Sequence, residues 1–329
     1  MNTDKLKFDS AGKFRILCIS DIHAGVGYNK KLTSVYLTTL LNKTSPNLVL
    51  MLGDIAGPGV IHIETAAQLK EMLTELTAPL TKRNIPWAHV FGNHDDNFGV
   101  PNEKAQTVYE EFPLCLSKAG PKELYGAGNY TLTLYGHDGQ TPRFNIYAFD
   151  SHGSGHGLEE TYKMNTYNPF VFDGADMCDR GIDVSQVMWY YGESMRLEKE
   201  QGRVCPALAV MHIPITEMGL ASLSPEKYDL NGVFEEKVSC QALNSGLFRA
   251  GIERGDIKHY CFGHDHNNNF SVKYCGITLS YDGYLSCHAC HKAKQLGGRL
   301  YELTEKNTEN FDGSVSIKPE FTGASPLAH

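Results

Sequence analysis

No stretch of this chain is apolar for long enough to cross a bilayer, no block of consecutive basic residues occurs, and the cysteines do not make an even set. Each absence excludes something. Without a spanning run, a membrane is not an expected partner. The 30 Lys and Arg are outnumbered by 38 Asp and Glu, leaving a charge of −8. Tight non-specific binding to nucleic acid needs cations that neutralise phosphates, so nucleic acid is not an expected partner either. The nine cysteines are scattered, several of them in strand-like runs (Cys18, Cys205, Cys261, Cys275). That pattern fits reduced, buried thiols rather than a disulfide framework. Met1 to Lys13 is polar and lacks the apolar core of a secretory leader, so the expected location is cytoplasmic. Three Asn-x-Ser/Thr triplets, at Asn42, Asn129 and Asn269, then read as chance matches.

What is present suffices for a large core. Of the 329 residues, 41% are hydrophobic, and one α/β domain can absorb that length. Phe14 to Ser20, Leu48 to Leu52 and Trp87 to Phe91 read as strands buried on both faces. Helical spacing over Lys31 to Leu41, Glu64 to Thr81 and Glu103 to Glu111 alternates with them, which predicts parallel crossovers. Tyr130 to Leu134 and Phe144 to Phe149 flank the turn Gly136 to Gly139 and predict a hairpin. Ser151 to Asp183 is a long loop without periodicity. Val184, Val187, Met188, Tyr191 and Met195 predict an amphipathic helix resting on that face. Further strands are expected at Ala207 to Met211, His259 to Phe262, Phe270 to Tyr274, Ile277 to Tyr281 and Arg299 to Leu303, with a helix over Gln241 to Ile252. The expected organisation is an extension at 1–13, a single domain over 14–304 that includes the loop 151–183, and a polar tail at 305–329.

Five polar clusters follow these strands in order: Asp21-Ile22-His23, Gly53-Asp54, Gly92-Asn93-His94-Asp95, His212, and Gly263-His264-Asp265-His266. Strand ends are where α/β proteins place their sites. Asp21 and His23 are two apart, as are His264 and His266, so each pair can share one side of an extended segment. Carboxylate, imidazole and amide groups are what a pair of divalent cations requires, and nitrogen ligands favour Mn, Fe or Zn over Mg or Ca. Two dications repel, so an anionic bridge is needed. Asp54 is the natural bridging carboxylate, with a hydroxide on the open side as nucleophile. His94, beside the ligand candidate Asn93, is placed to act as an acid towards a leaving alkoxide.

This motif series resembles that of the calcineurin-like metallophosphoesterases, from Phe14 to about Leu303. The resemblance implies an α/β fold, a four-layer α/β/β/α sandwich of two mixed sheets flanked by helices. It also implies a division of ligands: Asp21, His23, Asp54 and His266 for one metal, and Asp54, Asn93, His212 and His264 for the other. His94 is then the phosphate-facing acid. Met211-His212-Ile213-Pro214-Ile215, Asn244-Ser245-Gly246, His266-Asn267 and Cys287-His288-Ala289 look like the purple-acid-phosphatase-like branch. The chain departs from true purple enzymes at two places. Gly57 stands where their iron-binding tyrosine lies, and His23 stands where glycine is usual. The resemblance therefore implies a more alike, divalent pair without a tyrosinate colour.

Singly these motifs are weak, and their joint order carries the reading. Cys287-His288-Ala289-Cys290-His291 lacks a second ligand pair at zinc-finger spacing, although His288 is expected near the rim of the site by analogy. Asp95 is not expected to orient His94, because adjacent side chains in extended backbone point apart. His152 and His156 fit a loop over substrate or a surface turn equally well, and His62, His89, His137 and His259 read as structural or solvated. The expected activity is hydrolysis of a phosphomonoester. A phosphodiesterase is the alternative, kept open by the Asp-x-His form, and a catalytically inactive binding scaffold comes third. Substrate choice is expected to lie in the loops Ser151 to Asp183 and Ser222 to Glu236. The oligomeric state is left open.

Overall fold

The computed structural model describes residues 5–24, 30–56, 63–95, 99–152, 176–178, 181–241, 243–286, 296–311 and 313–314, with backbone alone at 30–32, 176–178 and 313–314. The expectations at Gly57, His62, His156, the Cys287–His291 cluster and most of the 151–183 loop lie outside the described residues.

Two mixed sheets organise the chain. The first has β1 (Lys13–Ile19), β2 (Leu48–Leu52) and β3 (Trp87–Val90) parallel, then β12 (Arg299–Thr304) antiparallel to β1 and β13 (Gly313–Ser314) outermost. In the second, β5 (Pro142–Ala148), β7 (Ala207–Val210), β9 (Ile257–Phe262) and β11 (Ile277–Tyr281) run parallel. It is edged by antiparallel β4 (Tyr130–Tyr135) and β10 (Ser271–Tyr274). A short parallel pair, β6 (Asp176–Cys178) and β8 (Ser239–Gln241), stands apart.

Strand alternation divides the apolar residues into three layers. Leu17, Ile19, Val49, Met51 and Trp87 pack against α1 (Lys30–Thr44), α2 (Ala66–Arg83) and α3 (Asn102–Tyr109). Their neighbours Ile16, Cys18, Leu48, Leu50, Leu52 and Val90 face the other sheet, where Phe144, Ile146, Leu208, Val210 and Cys261 meet them. Tyr147, Ala209, Tyr260 and Phe262 point outward to α4 (Val184–Gln201), α5 (Thr216–Ser222) and α6 (Leu247–Arg254). This is the α/β/β/α order. Central strands buried on both faces are why β1, β2 and β7 read as near-continuous apolar runs.

Two expectations need correction. α4 forms, but its buried face is turned from the expected one: Val187 packs against the outer core, while Val184, Met188, Tyr191 and Met195 are 58%, 70%, 38% and 52% exposed. It buries Gln186, Tyr190, Ser194 and Leu197 instead. Tyr190 and Ser194 donate to the buried carboxylate of Asp256, and Gln186 bonds to Asn129 and the carbonyl of Asp150, both at 2.7 Å. Satisfied polar groups thus occupy positions that a hydrophobic pattern cannot flag. The helix expected from Gln241 begins only at Leu247, because the start of that window is β8. Asn244 Oδ1 then accepts Gly246 N–H at 2.8 Å, a local turn that delays the helix. The hairpin forms as expected, closed by Gly139 N–H to the Gly136 carbonyl at 2.8 Å.

Candidate metal centre

All five clusters leave the C-terminal ends of parallel strands: Asp21 after β1, Asp54 after β2, Asn93 and His94 after β3, His212 after β7, and His264 and His266 after β9. The two sheets face each other, so these ends converge. Several of the turns are tight. Asp21, His23, Asp54 and His264 all adopt positive φ, at 51°, 49°, 49° and 81°. Non-glycine residues held there cost of order 1 kcal/mol each and cluster at functional sites. Gly92 is required by proximity, since a Cβ there would lie 2.1 Å from Asp54 Oδ1.

The eight residues come together. His266 Nε2 stands 3.0 Å from Asp21 Oδ1 and 3.2 Å from His23 Nε2. His23 Nε2 in turn is 4.0 Å from Asp21 Oδ1 and 3.9 Å from Asp54 Oδ2. On the other side, His212 Nε2 lies 3.4 Å from Asp54 Oδ2 and 3.1 Å from Asn93 Oδ1. Asp54 therefore lies between the two groups. Asp21 also spans both, since its Oδ1 is 4.0 Å from His212 Nε2. Two sets, Asp21–His23–His266 and Asp21–Asp54–His212, have donor atoms mutually within 4.8 Å. His264 is outside these sets: its Nε2 meets Ser239 Oγ at 3.3 Å, and its ring centroid is 5.1 Å from that of His212. His94 reaches Asp54 twice, through its backbone N–H to Oδ1 at 2.8 Å and its Nε2 at 4.0 Å from Oδ2.

The donor set fits a cation. Leu52 offers only a carbonyl to His212 Nδ1, at 2.7 Å, so Nδ1 carries a proton there. The Nε2 edge then turns towards Asp54, where it needs either a second proton or a shared cation. The electrostatics point the same way. Burial works against ionised Asp21, yet His266 and His212 hold its carboxyl well below the usual range. Burial also opposes Asp54, and His212 and His23 more than offset it. Burial opposes the His212 imidazolium, but Asp54 and then Asp21 raise its pKa to about 10. His264, buried and facing His212, is depressed to about 3.

Behind these residues lies a layer that the motifs did not reveal. Asp95 clamps backbone, its Oδ1 taking Ala56 N–H at 2.9 Å and its Oδ2 taking Gly92 N–H at 2.8 Å. Burial, with Asp54 nearby, pushes it up to about 8. Asp265 accepts from Ser239 N–H at 3.0 Å and from the Tyr281 hydroxyl. Ser20 donates to Asp21 and meets Asp282 Oδ1 at 2.8 Å. Asp282 directly follows β11, so the strand-end rule that picked out Asp54 would also have found it. The loop that His152 opens lies outside the described residues beyond His152 itself. His152 is buried, with Nε2 3.1 Å from Gln186 Oε1 and its ring 4.0 Å from that of Tyr125.

Comparison with known proteins places the fold. The chain is 29% identical to Probable inactive purple acid phosphatase 29 of Arabidopsis thaliana, over 95% of this chain and 83% of that one. It is 26% identical to Phosphatase DCR2 of Saccharomyces cerevisiae, over 82% of this chain and 46% of that one. A dimetal phosphatase from Danio rerio superposes with a TM-score of 0.52 at 13% identity, covering 89% of this chain and 93% of that one, a likeness of fold. The model of the calcineurin-like phosphoesterases matches residues 14–268, and with that match the chain belongs to the calcineurin-like phosphoesterase family.

Proposed function

We propose that the chain is a dinuclear metal-dependent phosphatase acting on phosphomonoesters. The observation that carries this reading is the convergence of Asp21, Asp54 and three imidazole Nε2 atoms on one buried point, with carboxylate oxygens between two groups of nitrogen. Asp21, His23, Asp54 and His266 would hold one ion. Asp54, Asn93, His212 and His264 would hold the other, His264 through Nδ1 because Ser239 occupies its Nε2. Imidazole-rich ligation favours Mn, Fe or Zn. When bound, two such ions neutralise phosphoryl oxygens and bring the pKa of coordinated water towards neutrality.

The protein's own groups do the rest. Asp54 holds the His94 loop through its backbone, which keeps the imidazole at the centre's edge with its side chain 35% exposed. From there His94 can protonate the departing alkoxide. The net charge of −8 argues against nucleic acid as substrate. Six described cysteines are free and only Cys275 of them is exposed, which suits a reducing, cytoplasmic setting.

Hydrolysis of a chromogenic phosphomonoester beside its diester analogue tests this, using metal-stripped protein reloaded with Mn, Zn or Fe. Monoester turnover that needs metal and falls about 10²–10⁴-fold in His94→Ala is expected. Dominant diester turnover would replace it with a phosphodiesterase. The second reading, a binding scaffold, is favoured by the words "probable inactive" in the names of plant relatives. It predicts bound metal with no turnover of either ester.

A further inference from the structure

One hydroxyl at the end of β1 is surrounded by three oxygens. Ser20 Oγ is in hydrogen-bond contact with Asp21 Oδ2, with Asp282 Oδ1 at 2.8 Å, and with the Gly283 carbonyl at 3.1 Å. A serine hydroxyl has a single proton and otherwise only accepts. Asp21 Oδ2 already accepts His264 N–H at 3.0 Å and Asp21 Oδ1 faces His266 Nε2 at 3.0 Å, so both of its oxygens are placed as acceptors and the Ser20 proton goes to Asp21. The Gly283 carbonyl brings none. The contact with Asp282 is then attractive only if Asp282 brings a proton of its own.

The surroundings of Asp282 agree. Its residue is wholly buried, and among the described residues no ion pair reaches it. Among the described residues its Oδ2 has no hydrogen-bond partner. An ionised carboxylate in that position would leave charge on an unpartnered buried oxygen, which is far more costly than an unpartnered neutral carbonyl. The titratable groups around it include Cys18 on β1, Cys261 on β9, Asp21 after β1 and His212 after β7. Burial, then Cys261 and Asp21, raise its pKa well above the carboxylate range, against a smaller opposing effect from His212.

We infer that Asp282 stands behind Asp21 as a neutral carboxylic acid, a positioning residue that donates to Ser20 so that Ser20 donates to Asp21. The relay occupies Asp21 Oδ2, which also accepts His264 N–H at 3.0 Å. With that oxygen held by two donors, Oδ1 is left for His266, His23 and His212. A protonated Asp282 also spares the centre a third negative charge beside Asp21 and Asp54. The role of Asp282 rests on the reading of Asp21 as a metal ligand.

The test uses the full chain, wild type against Asp282→Asn and Asp282→Ala. Asparagine keeps a neutral donor towards Ser20, whereas alanine removes it. Infrared spectra of manganese-loaded protein at neutral pH, taken as wild type minus Asp282→Asn, should show the carbonyl stretch of a protonated buried carboxyl that the variant lacks, with Asp95 contributing equally to both. Calorimetric titration should find manganese affinity close to wild type in Asp282→Asn and about 10–100-fold weaker in Asp282→Ala. Two manganese bound with no such band overturns the inference alone. So does an Asp282→Asn variant as weak as the alanine one. Wild-type protein that takes up no manganese overturns the metal-centre reading and the positioning role with it.

Discussion

His23 and His266 face one another through their Nε2 atoms at 3.2 Å, with Asp21 Oδ1 3.0 Å from the second. Two imidazole lone pairs and a carboxylate aimed at one point repel unless something positive sits among them. Burial lowers the pKa of His23, whereas at His266 burial is outweighed by Asp21, which raises it. A proton on His266 satisfies Asp21 alone, while a metal ion would satisfy all three groups. Removing either imidazole should therefore cost one ion and leave the other group, around Asp54 and His212, in place. After metal loading and dialysis, elemental analysis should find about two ions per wild-type chain and about one in His23→Ala or His266→Ala. Asp54→Asn, which removes the carboxylate between the groups, should lower both. Loss of both ions in His266→Ala alone would show that the groups are not separate.

Gly92 offers a prediction that starts from close packing. A Cβ there would meet Asp54 Oδ1 at 2.1 Å and Asp54 N at 2.3 Å, atoms that belong to backbone and to a buried carboxylate rather than to a pliable side chain. Gly92→Ala must push the β2 and β3 loops apart. Overpacking of this kind costs about 1–3 kcal/mol, and the displaced Asp54 should also lose metal. A drop in the urea midpoint together with reduced manganese uptake is expected. A variant matching wild type in both would show that the loops yield at no cost.

The fold was legible where apolar periodicity and burial coincide. β1, β2, β3 and β7 lie between two packed layers, so both of their faces are apolar and the strands stand out in the sequence. The ligands were legible because each follows such a strand. Asp282 follows a strand too and was passed over, whereas the roles of Ser20, Asp265 and Ser239 could not be read, because they depend on distant partners, as Ser20 does on Asp282, 262 positions away. The helix α4 forms as expected, but its buried face escaped for a different reason. That face is held by the hydroxyls of Tyr190 and Ser194 on Asp256 and by the amide of Gln186, and hydropathy counts such groups as solvent-facing.

That inversion can be tested by substitution. Met188 is 70% exposed, so Met188→Gln should change stability by less than about 0.5 kcal/mol. Leu197, on the same helix, is 6% exposed within the outer core. Leu197→Ala should cost about 2–5 kcal/mol. Urea unfolding of both variants reads the difference. Equal losses would restore the face that the apolar pattern predicts.

His89 supplies a pH dependence away from the metal centre. Its ring stacks on Tyr109 at 3.6 Å and its Nδ1 lies 2.8 Å from Ser117 Oγ. Burial depresses its pKa from 6.5 to about 3. Between those values the unfolded chain binds a proton that the folded chain refuses, so stability contributed by neutral His89 is complete above pH 6.5. It is lost as the pH falls towards 3, by up to about 1.4 kcal/mol per pH unit. His89→Phe keeps an aromatic ring against Tyr109 and removes the titration. Ser117 Oγ still accepts the residue's own backbone N–H, a bond of 2.7 Å in the wild type, so the substitution leaves that hydroxyl partnered. Between pH 7 and pH 4.5 the urea midpoint of wild type should fall further than that of His89→Phe. Parallel curves for the two proteins would mean that His89 takes up its proton without leaving the core.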